Sequence, residues 1–262
     1  MSNLKGMRTP RVNTWQGPEG SSQDNYPAAL AKLQHLADKV GGAGLRVFDD
    51  FSGTALNTAL WTYAEGTDSQ TAGNAIIAAG AHALRLTTGD VGSGFAADAA
   101  HIAFAALQFS ADKGLLFRTR VRLSAITNVG VSFGFTDDVA LEQVFEIGVD
   151  DAITSNASNA VAVTFQTSAD TAEWLAVGVK GDTDTPLLKA GYAPVASSWE
   201  EWEIEITKLG HAYFYRNGKL MGKLESAITP GTPVTPFVQA WALADASRDV
   251  DVDYIEAIAL DR

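Results

Sequence analysis

The sequence predicts an all-β protein: an antiparallel β-sandwich preceded by an extended N-terminal arm and one short helix. Three observations predict it. Residues 115–123 alternate, with Leu115, Phe117, Val121 and Leu123 on one side and Arg118, Arg120 and Arg122 on the other. A period of two with one apolar and one charged face is a strand with one wet side. Asn217-Gly218 stands between the strand-like runs 211–215 and 219–220, and Asn-Gly is a strong hairpin signal because a type I′ turn needs positive φ at both central residues. From Leu45 onward, short apolar runs are separated by turn residues, with little helical periodicity, which is the pattern of a sandwich or barrel.

Residues 1–26 are poor in apolar side chains and rich in Gly, Pro, Ser and Asn. They read as an arm that orders only against a partner, with Trp15 as its one large anchor. A short helix follows. Pro27 suits a first turn, Asp24 or Asn25 lies near the cap, and Ala29, Leu30, Leu33, Leu36 and Val40 recur at helical spacing before Gly41-Gly42 stops it. One apolar stripe of this length is marginal alone and needs something to pack on. The body, 45–262, then carries strands expected at 83–87, 101–107, 115–123, 130–135, 143–149, 160–166, 173–179, 201–206, 211–215, 236–243 and 252–260.

The chain has 262 residues, 46% of them hydrophobic and none of them cysteine. One large β domain plus an appendage fits that length. Disulfides, zinc–thiolate sites and thiol catalysis are excluded. No run reaches the roughly 20 apolar residues that cross a bilayer. The N-terminus leads into Thr9-Pro10-Arg11 rather than an apolar signal region, so synthesis in a cytoplasm without a standard export signal is expected. The net charge of −12 is unevenly placed: residues 1–44 carry +2 and the remainder −14. An acidic body repels phosphate backbones, so nucleic acid is not an expected partner, and neither is a membrane. The basic arm, with Arg8 and Arg11, suits an acidic protein surface.

Two resemblances follow from particular segments. Phe48-Asp49-Asp50-Phe51-Ser52-Gly53 with Leu60-Trp61, then Trp199 to Ile206, Tyr213 to Lys219 and Asp253-Tyr254-Ile255-Glu256-Ala257-Ile258, resemble concanavalin A-like jelly rolls over roughly residues 45–262. Phe133 to Asp138, Ile153 to Val161 and Phe165 with Thr167-Ser168-Ala169-Asp170 are similar to structural proteins of tailed-phage virions. The second resemblance implies a virion protein, made in the host cytoplasm, that decorates a capsid or an appendage. Its partner would be the major capsid protein or another virion protein, and a homodimer or homotrimer is expected. Arg8, Arg11, Trp15, Leu30 and Leu33 would be the anchor.

The first resemblance brings glycoside hydrolases into view. Their signature places two glutamates and a central aspartate at alternate positions of one strand, because retaining chemistry needs two carboxyl groups about 5 Å apart. Here the matching run is Glu146-Ile147-Gly148-Val149-Asp150, with Gly148 in place of the central Asp and the shorter Asp150 in place of the acid. The reading is therefore non-enzymatic. A carbohydrate-binding module or adhesin is the alternative, and a hydrolase with a degenerate motif comes third. Trp61, Trp174, Trp199, Trp202, Trp241, Tyr213 and Tyr215 are the candidate sugar platform, weighed against ordinary core and rim positions. Glu201, Glu203 and Glu205 read as a solvated face that would oppose Arg118, Arg120 and Arg122 across strands or subunits. Asp249, Asp251 and Asp253 alternate as hard oxygen ligands that would suit calcium, with Asp182 and Asp184 a weaker set; no other cofactor is implied. The four histidines are scattered, and Gly89 to Gly94 reads as a turn because it lacks the Lys-Ser/Thr of a phosphate loop.

Overall fold

The computed structural model describes residues 44–67, 75–76, 82–90, 95–170 and 172–261. The arm and the expected helix, including Arg8, Arg11, Trp15, Leu30 and Leu33, lie outside the described residues.

Two eight-stranded antiparallel sheets are stacked face to face. The first runs β16 (Lys219–Leu224), β15 (Ala212–Arg216), β14 (Glu200–Ile206), β7 (Leu115–Leu123), β18 (Asp249–Ala259), β4 (Leu84–Thr87) and β3 (Ala75–Ile76), with β1 (Leu45–Asp49) also on β18. The second runs β13 (Leu188–Lys189), β12 (Leu175–Lys180), β11 (Asn159–Gln166), β8 (Val129–Thr136), β17 (Pro233–Ala242), β5 (Ala100–Phe104) and β2 (Trp61–Glu65), with β6 (Phe109–Ser110) on β17. A separate two-stranded hairpin, β9 (Phe145–Ile147) and β10 (Ile153–Ser155), belongs to neither sheet. One four-residue helical turn, α1 (Phe95–Asp98), was not foreseen. Among the described residues no helix is long and apolar enough to cross a membrane.

The alternation at 115–123 is realised as expected: β7 buries Leu115, Phe117, Val121 and Leu123. Opposite them lie Val131, Phe133, Phe135, Val161 and Val163 of the second sheet, in one continuous core. The Phe133 ring sits among Phe117, Trp174 and Trp202, with centroids 6.3, 5.7 and 6.2 Å away. Each such side chain contributes roughly 1.5–3 kcal/mol on leaving water.

The outer face of the first sheet is a charge ladder. Glu203 stands opposite Arg118 in the β14–β7 register, and Arg118 Nε donates to Glu203 Oε2 at 2.7 Å. Arg118 also reaches Glu256 of β18 at 3.4 Å, and Arg46 of β1 closes on Glu256 at 2.6 Å. The acidic and basic faces therefore do oppose one another, across strands.

Candidate functional site

The outer face of the second sheet is not open to water. Its middle is built from small or short polar residues: Gly130, Ser132 and Gly134 on β8, and Ala160, Ala162 and Thr164 on β11. Over them runs the segment 137–158, which carries β9 and β10 and buries Val144, Phe145, Ile147 and Ala157 against Ala160, Ala162, Val177 and Phe237. This is a second apolar core, on the far side of the sheet from the first. Small residues below make room for large ones above. Gly134 marks the tightest place: its φ is +153°, and an added Cβ would fall 2.1 Å from the Val161 carbonyl.

Two glutamines from the sheet hold this covering segment by its backbone. Gln166 of β11 accepts from the Ile147 N–H at 3.3 Å and donates to the Ile147 carbonyl at 3.0 Å. It also accepts from Gln143 Nε2 at 3.1 Å. Gln239 of β17, with its amide nitrogen towards Glu142, donates to the Glu142 carbonyl at 3.2 Å and accepts from the Val144 N–H at 3.1 Å. Both glutamines are buried. A primary amide presents the same donor and acceptor as a peptide group, so each acts as a one-residue substitute for a neighbouring strand.

Beside Gln239 lies His101, at the opposing position on β5. It is 1% exposed, and neither ring nitrogen meets a partner at hydrogen-bond geometry. The ring stacks on Phe237 with centroids 6.1 Å apart. Burial pushes its pKa down to about 4, only partly offset by the nearby Gln239 amide.

Where the covering segment meets the ends of β11 and β17, a cleft of about 560 Å³ opens. That volume lies in the range of small-molecule sites. Its polar wall carries Glu142, Gln143, Glu146, Asn156, Gln166 and Ser168, and its apolar part includes Phe95 and Trp241. Trp241 sits opposite Gly130 in the β17–β8 register. An added Cβ on Gly130 would fall 2.0 Å from the indole, so only glycine lets the ring lie across the strand. The Phe95 ring packs on it at 5.4 Å, and Trp241 Nε1 is buried without a partner.

The residues singled out from the sequence are distributed as follows. Glu146 is exposed on the cleft wall. The strand expected over 143–149 is only Phe145–Ile147; it ends in a 3-10 turn, Val149–Asp151, in which Asp150 has a φ of +62°. Glu146 and Asp150 therefore do not share one face of one strand. Asp249, Asp251 and Asp253 face arginines: Asp249 pairs with Arg85 at 3.3 Å, Asp253 with Arg120 at 3.0 Å, and Asp251 with both Arg85 and Arg122. A β-bulge falls at Asp253, between Val252 and Tyr254. Asp182 accepts from the Ser158 hydroxyl. Among the described residues, no group of three carboxylate or imidazole side chains is arranged to hold a metal.

Of the candidate platform, Trp61, Trp174, Trp202 and Trp241 are buried. Trp199 is half-buried beneath the guanidinium groups of Arg120 and Arg122, 5.1 and 4.6 Å from its ring. Tyr213 and Tyr215 are half-buried on β15. The clamping glutamines, the Gly130–Trp241 contact and buried His101 were not found by sequence reasoning. Their signal lies in strand register, which no local window contains.

No protein-family model matches the chain, and no curated protein matches it. Solved structures do. A β-glucanase from Bacillus licheniformis aligns with a TM-score of 0.58 at 13% identity, covering 82% of this chain and 98% of its own. The carbohydrate recognition domain of Emp47p aligns at 0.55 and 11%, covering 82% and 94%. A protein of unknown function from Shewanella oneidensis aligns at 0.51 and 14%, covering 93% and 96%. The fold is a concanavalin A-like β-sandwich. At such identities the likeness speaks to fold alone.

Proposed function

We propose that this chain is a non-catalytic glycan-binding module that takes a saccharide in the cleft between the covering segment and the 241–243 end of β17. The observation that carries this reading is the cleft itself. Its carboxylates, amides and hydroxyl stand beside the aromatic pair Phe95–Trp241, the mixture of few polar groups and an apolar part that orients a small polar ligand. The glucanase and the carbohydrate recognition domain that share the fold support a saccharide as that ligand. The separation of Glu146 from Asp150 by a strand end and a turn supports binding without hydrolysis.

Glycan-array screening followed by calorimetry tests it. The wild type is expected to bind a saccharide, and Ser168→Arg, which fills the cleft from an exposed position, to lose it. Binding that survives this substitution overturns the location. Release of reducing sugar that Glu146→Gln abolishes overturns the non-catalytic part.

A second reading, decoration of a phage capsid or appendage through the N-terminal arm, is favoured by the virion-like segments Phe133 to Asp138 and Ile153 to Val161 and by the arm's composition. Co-sedimentation of the full chain, and of a chain lacking residues 1–44, with intact particles tests it. Arm-dependent binding supports decoration; equal behaviour of the two chains overturns it.

A further inference from the structure

We infer that the saccharide taken by this cleft carries a free amino group, a glucosamine-type sugar, and that uronic or sulfated sugars are rejected; this rests on the glycan-binding reading above. Among the described residues, none that lines the cleft is Lys, Arg or His, while Glu142 and Glu146 place two exposed carboxylates there. On the first sheet several carboxylates are paired with arginines: Glu203 and Glu256 share Arg118, Asp251 takes Arg85 and Arg122, Asp253 takes Arg120, and Glu200 takes Arg216. Among the described residues Glu142 and Glu146 form no ion pair.

The side-chain amides of the wall are engaged within the protein, whereas the exposed Ser168 hydroxyl, which accepts from Gln166, keeps its own proton to donate. Gln143 Nε2 donates to the Phe145 carbonyl and to Gln166, Gln166 Nε2 to the Ile147 carbonyl and Ser168, and Asn156 Nδ2 to the Gln143 carbonyl. What faces a ligand is therefore rich in acceptors and negative charge. An ammonium, with three donors and no acceptor, complements such a wall, whereas a carboxylate or sulfate meets like charge without a cation to receive it. Trp241 Nε1 has no protein partner, but it is closed off from water against Gly130 and is not among the groups that face a ligand.

The test is calorimetric titration of the full chain, at mildly acidic pH, with the β-1,4 tetramer of glucosamine, its N-acetylated counterpart, the uncharged glucose tetramer and a polyuronate. The glucosamine tetramer is expected to bind roughly tenfold more tightly than the acetylated form, a difference of about 1.4 kcal/mol, and the polyuronate not at all. In Glu142→Gln/Glu146→Gln that ratio should collapse to about one, which separates recognition in the cleft from the general attraction of a polycation to an acidic protein. A ratio near one in the wild type, or a tenfold ratio that survives the double substitution, overturns the inference while leaving glycan binding intact. Failure of every saccharide to bind overturns both. As a second measurement, raising the pH through the ionisation of the sugar amine should abolish the ratio in the wild type, and persistence of the ratio there also overturns the inference.

Discussion

Gln166 holds Ile147 by both ends of its peptide unit, accepting from the N–H at 3.3 Å and donating to the carbonyl at 3.0 Å. A sheet side chain thereby fixes the backbone of a segment that pairs with neither main sheet. Gln166→Ala is expected to leave that N–H and carbonyl, both in a buried residue, without a protein partner. The cost should be about 2–4 kcal/mol, since each stranded group costs roughly 1–3 kcal/mol. Chemical denaturation measures the loss, and hydrogen exchange should show the Ile147 amide deprotected in excess of the global change. An unchanged Ile147 amide would show that apolar burial of Phe145 and Val144 alone holds the segment.

The contact between Gly130 and Trp241 makes the second prediction. With a Cβ placed 2.0 Å from the indole, Gly130→Ala must push the ring out of the cleft lining or distort β8. A destabilisation of about 1–3 kcal/mol is expected from the overpacking, together with a shift in tryptophan fluorescence and loss of saccharide binding. Trp241→Leu in the same chain should relieve the stability cost, so the two substitutions should be strongly non-additive. Additive costs would mean that the glycine is required by the backbone alone.

How much of this was legible beforehand differs between the two faces of the molecule. The Arg118, Arg120, Arg122 face and its acidic counterpart could be read because one strand displays its own alternation, and their cross-strand pairing followed from charge. The outer face of the second sheet could not. Gly130, Ser132 and Gly134 look like poor strand residues until Phe145 and Ile147 are seen above the sheet, and Gln166, Gly130 and Trp241 come together only through the β11–β8–β17 register. The run 143–149 reads as one strand because its apolar residues alternate, yet its outer residues point to a cleft and its end turns away at Gly148. Asp249, Asp251 and Asp253 do share the outer face that their alternation implies, but the arginines they meet stand on neighbouring strands and could not be read from their own.

Buried His101 predicts a pH dependence. Its pKa is lowered to about 4 in the folded protein by burial, against about 6.5 in an unfolded chain. Between those values the unfolded state binds the proton and the folded state does not. The stability conferred by a neutral His101 is therefore fully present above about pH 6.5 and declines as pH falls towards 4, by up to roughly 3 kcal/mol. Unfolding measured across that window, in the wild type and in His101→Asn, isolates this contribution from the carboxylates. The variant should have the flatter profile, and parallel profiles would show that the imidazole takes up its proton in the folded state.

Asp251 makes the last prediction. Its carboxylate is 5% exposed and accepts from Arg85 at 2.7 Å and from Arg122 at 2.5 Å. Among the described residues Asp253, 28% exposed, forms an ion pair only with Arg120, itself 43% exposed. Removing a buried partner strands charge, whereas removing an exposed one returns both groups to water. Asp251→Ala should therefore cost about 2–3 kcal/mol, moderated because both arginines keep some access to solvent. Asp253→Ala should cost less than about 1 kcal/mol. The same geometry predicts that calcium or a chelator leaves the melting temperature unchanged, because the three aspartates of this strand already face guanidinium groups. Equal costs for the two substitutions would show that the ladder is a solvated surface throughout. A calcium-dependent rise in melting temperature that Asp251→Ala removes would make these aspartates ligands after all.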